Sequence, residues 1–406
     1  MLRNSILRLL VLFLPLGAQA QEPVLAFVSD QQYSNIANFS GGLARVRTDA
    51  NQLYGFIDTT GKLAIPLQFD EAESFHDGLA IVGKTTNDTI LYGYINRAGQ
   101  LQVPYQFDEA KDFSGNRAAV RKDNTWYYID PSGKMTLGQE FVRMDTVIDQ
   151  AYNGAFDRVV ADPRSFHNGR LLVRKDSLFG YADTSGVWVI PPVYLAARDF
   201  SDGVALVATA APPRDSMKGN DELSALYNSL PEGTPNLNWS VIDLLGKVVF
   251  SIDAEEVGDY ADGLAPFYKN GAWGLMNKTG RPVFMPQFHE KPYRFSGGLS
   301  AVQVNGTARD NSDGHLYILD TTGTIRAKVP LCDNNGSCIY DSHVAFSDGL
   351  IAVKRGGVIS GWGFMDATGK MVIAPQYEDV TPFSEGRAVA VNREGALLVI
   401  KKPDTK

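Results

Sequence analysis

Three acidic dipeptides are the first candidates for chemistry in this chain: Asp70-Glu71, Asp108-Glu109 and Glu378-Asp379. Two carboxyl groups flanking a scissile bond can hydrolyse a glycoside, one as acid and the other as nucleophile or base. These pairs, however, recur at one position of a repeated phrase, whereas an active site needs a single pair. Recurrence points to a turn or a solvated rim. Of the five histidines, His76 and His167 stand where a recurring Phe-Ser-x-Gly phrase has Ser, so they read as scaffold positions. His289, His315 and His343 are isolated in sequence. A nucleophile–base site is defined by geometry, and the chain holds no Gly-x-Ser-x-Gly, His-Glu-x-x-His or Gly-x-x-x-x-Gly-Lys-Ser/Thr motif. Asp310-Asn311-Ser312-Asp313-Gly314 has the look of a calcium loop but not its acidic spacing, and reads as a turn. The expectation is a protein with no catalytic residues, no metal site and no cofactor.

The two cysteines lead to the cellular compartment. Arg3 and Arg8, the apolar run Leu9–Leu14 and the small-residue end Ala18-Gln19-Ala20 have the three parts of a secretory signal peptide, so residues 1–20 are expected to be removed. The apolar run is too short to span a bilayer, which takes about 20 residues. No later stretch is long and apolar enough, so the expected product is exported, periplasmic or extracellular, and not membrane-spanning. In an oxidising compartment Cys332 and Cys338, bracketing the turn-rich Asp333–Ser337, are expected to close a small disulfide loop. A redox pair would take the form Cys-x-x-Cys beside a helix, which is absent here. With 38 Lys+Arg against 46 Asp+Glu the net charge is −8, which disfavours a phosphate backbone as partner.

The elements that would position any site come from a tandem repeat. Its clearest copy starts at Phe346-Ser347-Asp348-Gly349-Leu350-Ile351-Ala352-Val353, continues with Gly361–Gly369 and closes with Lys370–Val380. Equivalent starts are Phe39, Phe75, Phe113, Phe166, Phe200, Tyr260, Phe295, Phe346 and Phe383, and the shorter spacings cluster at about 36 residues. Leu-Ala-x-Val predicts one short strand. Gly-Phe-Ile-Asp and its variants predict a second, and Asp-x-x-Gly a hairpin loop with a left-handed closing glycine. A third strand is expected to stop at Pro66, Pro104, Pro191, Pro286, Pro330 or Pro375. The segment after it, as in Phe69-Asp70-Glu71-Ala72, reads as a fourth short strand or a turn.

Such a unit cannot bury both faces alone, so residues 21–406 are expected to form one domain in which neighbours shield each other. The recurring aromatics then read as core between repeats; a carbohydrate-stacking role is the alternative. Residues 32–39 match 376–383 in their anchors, and the chain ends after a second strand, so its two ends could complete one unit. The fold class expected is all-β, a tandem array of about eight to nine units, with a propeller-like ring placed slightly ahead of an open β-superhelix. Three insertions interrupt it, at 145–165, 208–237 and 305–314. Asn220–Tyr227 has the cap and pattern of a short helix. Loops on a rigid scaffold are where binding surfaces arise.

The phrase resembles the WG-repeat family of bacterial β-repeat proteins over nearly all of residues 21–406. The family's aromatic-Gly step appears as Trp273-Gly274 and Trp362-Gly363, with variants Tyr54-Gly55, Tyr92-Gly93 and Phe179-Gly180. Trp126-Tyr127, Trp239-Ser240 and Leu316-Tyr317 depart from it, which implies distorted units there. The single stretch Trp126–Met135 also looks like a choline-binding repeat, but it occurs once and at the wrong period. The resemblance carries over no catalytic residue. The repeats, the signal peptide and the lack of a nucleophile–base motif lead to the expectation of an exported, non-enzymatic interaction protein that recognises a protein or a cell-envelope glycan through loops between repeats. The alternatives are a glycan-directed enzyme or lectin, and a structural spacer.

Overall fold

The repeated phrase folds as four antiparallel strands. In the copy at 71–107 they are Glu71–Ala72, Leu79–Thr86, Thr89–Asn96 and Leu101–Phe107, hydrogen-bonded in that order. Apolar and β-branched residues fill the second and third strands, as a two-sided buried sheet requires. The turn between the first and second strands is set by Asp77-Gly78. His76 and Leu79 exchange backbone hydrogen bonds of 2.8 and 3.0 Å, while Asp77 and Gly78 take φ of 48° and 84°. Two left-handed residues in succession make the primed turn for which Asp-Gly is preferred. Between the third and fourth strands, in the copy before, Asp58 Oδ1 accepts the amides of Thr60 and Lys62 at 2.8 and 3.1 Å.

The computed structural model describes residues 25–29, 33–138, 141, 147–150, 156–159, 164–210, 237–304, 314–332, 338–342, 345–356 and 360–403. These residues form ten sheets. One is a two-stranded hairpin, Val147–Gln150 with Phe156–Val159. The other nine have three or four strands and follow one another along the chain, at 33–69, 71–107, 109–137, 171–194, 196–251, 256–288, 299–330, 339–377 and 379–401. They are called here the first to the ninth sheet. The fold is all-β, and the repeat count expected from the sequence is met. Two details differ from the sequence reading. The short segment Glu71–Ala72 is a strand, but it opens the next sheet instead of closing its own. Pro66, Pro104, Pro191, Pro286 and Pro375 lie inside their strands, not at the ends. These strands are outermost, so one edge has no partner to miss the absent N–H; only Pro330 ends its strand.

The proline-containing strand explains the aromatic-Gly step. It kinks over the third strand, and its backbone rests on the glycine. A Cβ on Gly55 would lie 2.7 Å from Ile65 O, one on Gly93 2.5 Å from Val103 O, and one on Gly363 2.6 Å from Ile373 O. Gly180 and Gly274 are equally covered, by Ile190 O and Phe284 O. In all five sheets the pairing slips at this place, as from Tyr54↔Phe69 to Phe56↔Ile65. The fifth and seventh sheets have Ser240 and Tyr317 instead of glycine, and there the pairing does not slip at that residue, with Ser240↔Ser251 followed by Val241↔Phe250 and Leu316↔Val329 followed by Tyr317↔Lys328; it slips only further on, after Val241 and Ile318. In the third sheet, with Tyr127, the outer strand is only Met135–Leu137. The departures from the motif are thus the places where nothing presses on the third strand.

One apolar cluster fills each junction between consecutive sheets. The nine repeat anchors, Phe39, Phe75, Phe113, Phe166, Phe200, Tyr260, Phe295, Phe346 and Phe383, are all 4% exposed or less. Five of them, Phe75, Phe113, Phe166, Phe200 and Phe383, meet an aromatic of the preceding sheet edge-on, as Phe75 with Phe56 at 5.1 Å and Phe200 with Tyr181 at 4.7 Å. Tyr94, Tyr128 and Tyr181 donate their hydroxyls across the junctions to the carbonyls of Lys111, Arg164 and Arg198. Burial pushes all three phenols well above their ordinary pKa, which keeps them neutral donors.

The first and last sheets also touch. Leu25–Ser29 pairs with Leu397–Lys401 as the outer strand of the ninth sheet. Val389, Leu397 and Val399 pack with Phe39, Ala44, Val46 and Ile57 of the first sheet. Arg387 Nε donates to Thr59 O, and the Glu385 carboxylate accepts the amides of Gly41 and Gly42 at 2.8 and 2.7 Å.

Two outcomes test this account. Gly93→Ala should lower stability in chemical denaturation by about 2 kcal/mol, the scale of an overpacked site, while Ser240→Ala, with no slip in pairing at that residue, should stay within about 0.5 kcal/mol. Glu385→Ala should speed amide exchange at Gly41 and Gly42 about fivefold; an unchanged rate would mean that this end-to-end contact contributes nothing.

Candidate functional site: the loop-bearing end

The strand order gives the array two different ends. At one, the Phe-Ser-x-Gly turns and the Asp-x-x-Gly loops alternate, and both are short in every sheet. At the other lie the hairpins between second and third strands and the links from one sheet to the next. Among the described residues, the strands that flank the insertions end at this second end. One insertion joins Val204–Ala210 to Leu237–Asp243, and another joins Leu299–Val304 to His315–Asp320. The long link between the third and fourth sheets carries the Val147–Gln150 hairpin. The pairs Ala210↔Leu237 and Val304↔His315 carry the ladders to the edges of two insertions, narrowing one to 211–236 and leaving the other at 305–314. The candidate helix Asn220–Tyr227 and most of Asp310–Gly314 lie outside the described residues. Cys332 and Cys338, bonded at 2.11 Å, sit in the link between the seventh and eighth sheets at this same end.

A cavity of about 220 Å³ opens here between the second and third sheets, lined by Glu71, Ala72, Glu73, Ile81, Tyr92, Glu109 and Ala110. Neighbouring residues on a strand face opposite ways, and this divides the acidic pair. Glu71 Oε2 accepts the Tyr92 hydroxyl at 2.7 Å, whereas Asp70 Oδ2 accepts the Thr85 amide at 2.6 Å. The Thr85 amide, against a smaller opposing effect of burial, holds the Asp70 carboxyl below its ordinary pKa. Glu73 is bound by Arg45 Nη1 at 2.8 Å and Glu109 by Arg121 Nη2 at 2.5 Å. Burial, together with Glu71, raises the Tyr92 phenol far above its ordinary value, so it acts as a neutral donor. Each carboxylate therefore holds a neighbour in place. The third pair behaves likewise, with Asp379 Oδ1 accepting the Val380 amide at 2.9 Å.

The histidines are not brought together. His76 Nε2 lies 3.5 Å from Asp112 Oδ2, across the same junction, and the His315 ring lies 6.3 Å from that of Tyr317. His343 is outside the described residues. Among the described residues no group of three His, Cys, Asp or Glu side chains is placed to hold a metal ion.

At the short-turn end the sequence reading missed a relay of side-chain to backbone bonds. The third residue of one Phe-Ser-x-Gly turn accepts an amide of the next turn. Asp202 Oδ2 binds Gly263 N at 2.5 Å, Asp262 Oδ2 binds Gly298 N at 2.7 Å, and Asp348 Oδ2 binds Gly386 N at 2.7 Å. The serine hydroxyls donate onward to the next anchor's carbonyl, as Ser201 to Tyr260 O at 2.6 Å. The recurrence of Asp before the glycine was the signal; it reads as turn chemistry because the partner is a distant backbone amide. Asp320 anchors the same end. Burial would raise its carboxyl pKa, but the Thr322 hydroxyl, the Thr324 and Thr322 amides and Arg326 outweigh that and hold it at about 2.

These features define an all-β tandem-repeat protein, a propeller-like array with one closely bonded end and one loop-bearing end. Models of the WG containing repeat match residues 27–51, 54–84, 92–126, 179–208, 239–271, 273–307 and 362–394, more than half of the chain. The chain belongs to that family. Among solved structures, it is similar to the crystal structure of the eukaryotic initiation factor, at 10% identity and a TM-score of 0.52, over 86% of this chain and 89% of that one. That likeness is one of fold. The structure of Kluyveromyces lactis Hsv2p matches at 11% identity and a TM-score of 0.33, over 70% of this chain and 88% of that one. No curated protein sequence matches the chain.

The depressed carboxyl gives a pH test. A folded pKa of about 2 against 3.8 unfolded contributes stability that is complete above pH 4 and fades as pH falls through 2. Asp320→Asn should therefore cost about 2 kcal/mol at pH 6, with the gap to the unmodified protein closing between about pH 4 and 2 in parallel denaturation series.

Proposed function

We propose that the chain is an exported, non-enzymatic interaction protein that holds a protein partner against the loop-bearing end of its repeat array. The observation that carries this reading is that the strand ends flanking the insertions, and the disulfide, lie at one end of a scaffold whose other end is tied turn to turn. Loops on a rigid frame can change sequence and length without cost to the core, which is how binding faces arise. Burial of all nine anchors supports a protein partner over a glycan, because none of those rings is left as a platform for a sugar. The Cys332–Cys338 bond supports an oxidising compartment. No helix among the described residues is long and apolar enough to cross a membrane.

A glycan-directed enzyme is the second reading, favoured by the cavity with Glu71, Glu73 and Glu109 in its wall. Against it, each of those carboxylates is engaged by Tyr92, Arg45 or Arg121.

Cross-linking mass spectrometry on the intact protein with envelope extract separates the two. The expected result is one recurring partner cross-linked through 211–236 or 305–314. Replacing 211–236 by a two-residue turn should abolish capture while the melting temperature holds. Capture unaffected by that replacement would overturn the choice of face. Glycan hydrolysis by the purified protein, lost in Glu71→Gln, would replace the binding reading with the enzymatic one.

A further inference from the structure

The outer edge of the fifth sheet differs from the other outer edges whose side chains are described. Its strand Val248–Ser251 contains no proline, and its pairing slips once, between Val241↔Phe250 and Ile242↔Val248, but not beside Ser240. Elsewhere the edge is interrupted by proline, carries Arg326 and Lys328, or is only three residues long. Proline, kinks, lysine and short length are the means by which edge strands are kept from pairing with other chains. Here the strand is four residues long and its pairing slips once, at Val249, but it holds neither proline nor a charged residue. Val248 and Val249 are 52% and 42% exposed, and Leu245 beside them is 77% exposed. Ile252 turns its amide inward to Trp239 O at 2.9 Å, and Phe250 faces Val241. Alternation along the strand then turns the backbone groups of Ser251 outward.

Charge selects the occupant. The edge reads Lys247-Val248-Val249-Phe250-Ser251-Ile252-Asp253, with a cation at one end and an anion at the other. Two such strands laid antiparallel bring the Lys247 end of each copy to the Asp253 end of the other. Asp253 already accepts Lys269 Nζ at 2.6 Å, yet its side chain remains 93% exposed and free to meet a second cation. The pairing is self-complementary, as a two-fold interface must be. We propose that two copies of this chain associate through antiparallel addition of Val248–Ser251 to its counterpart, joining their outer rims. The proposal is independent of what the loops bind.

Sedimentation of the full chain over about 1–200 μM tests it, since so short an edge makes a small and reversible interface. The unmodified protein should show a concentration-dependent monomer–dimer equilibrium. Lys247→Asp and Asp253→Lys should each weaken the dimer at least tenfold, about 1.4 kcal/mol, by opposing like charges, and the double swap should restore it to within about threefold. Val249→Lys, on the exposed face, should also leave a monomer with an unchanged melting temperature. A protein that stays monomeric throughout, single reversals that leave the dimer intact, or a double swap that fails to restore it would each overturn the proposal.

Discussion

The structure depends on the burial of one aromatic side chain at each junction. A three- or four-stranded sheet has two apolar faces and too few residues to cover either, so each must be covered by a neighbour. The anchor that opens every copy of the repeat does this from the side. Phe75 follows the first strand of the second sheet and inserts beside Phe56 of the first; Phe200 does the same beside Tyr181. Truncating one such ring to Ala costs about 3–5 kcal/mol, against a total stability of about 5–15 kcal/mol for a domain. Two or three lost anchors would therefore exceed the margin of the whole array, and the sheets stand or fall together. The packing of Phe39 with Val389 and Val399 extends that dependence from the last sheet to the first.

Much of this was legible in the sequence because the repeat states it many times. The anchors, the left-handed glycines and the strand content all came from recurrence, and the φ of 84° at Gly78 or 81° at Gly369 is what the turn signals required. The boundary of the structural unit was not legible. Phe69-Asp70-Glu71-Ala72 is continuous in sequence, and only hydrogen bonding shows that Phe69 ends one sheet and Glu71 begins another. The role of the proline was misplaced for a related reason. A proline can end a strand or occupy an outer edge, and choosing between them requires knowing which strand is outermost. The acidic pairs could be set aside as catalytic candidates by their recurrence, but that Asp70 and Glu71 serve different partners, Thr85 and Tyr92, depends on strand alternation across two hairpins.

The aromatic-Gly step shows how a family motif can be a steric record. Glycine is present where the outer strand leans on the third strand and absent where it does not, as the contrast of Gly93 beneath Val103 with Ser240, where the pairing does not slip, makes plain. What repeats is therefore a pair of linked features, a kinked edge and a bare Cα beneath it. The kink serves the edge, since it bends the row of backbone donors and acceptors away from other chains.

It follows that losing the motif has consequences on both sides of the sheet. Inside, Ser240 fits because the space is no longer claimed. Outside, Val248–Ser251 becomes an edge without proline or charge, slipping once at Val249. The seventh sheet shows the same internal change at Tyr317, but Arg326 and Lys328 on its outer strand keep that edge charged. Two sheets with the same departure from the repeat thus have opposite surfaces, one solvated and one prepared for contact. A repeat protein of this kind can acquire a sticky rim without altering its core, by relaxing a single glycine and leaving the edge beside it uncharged.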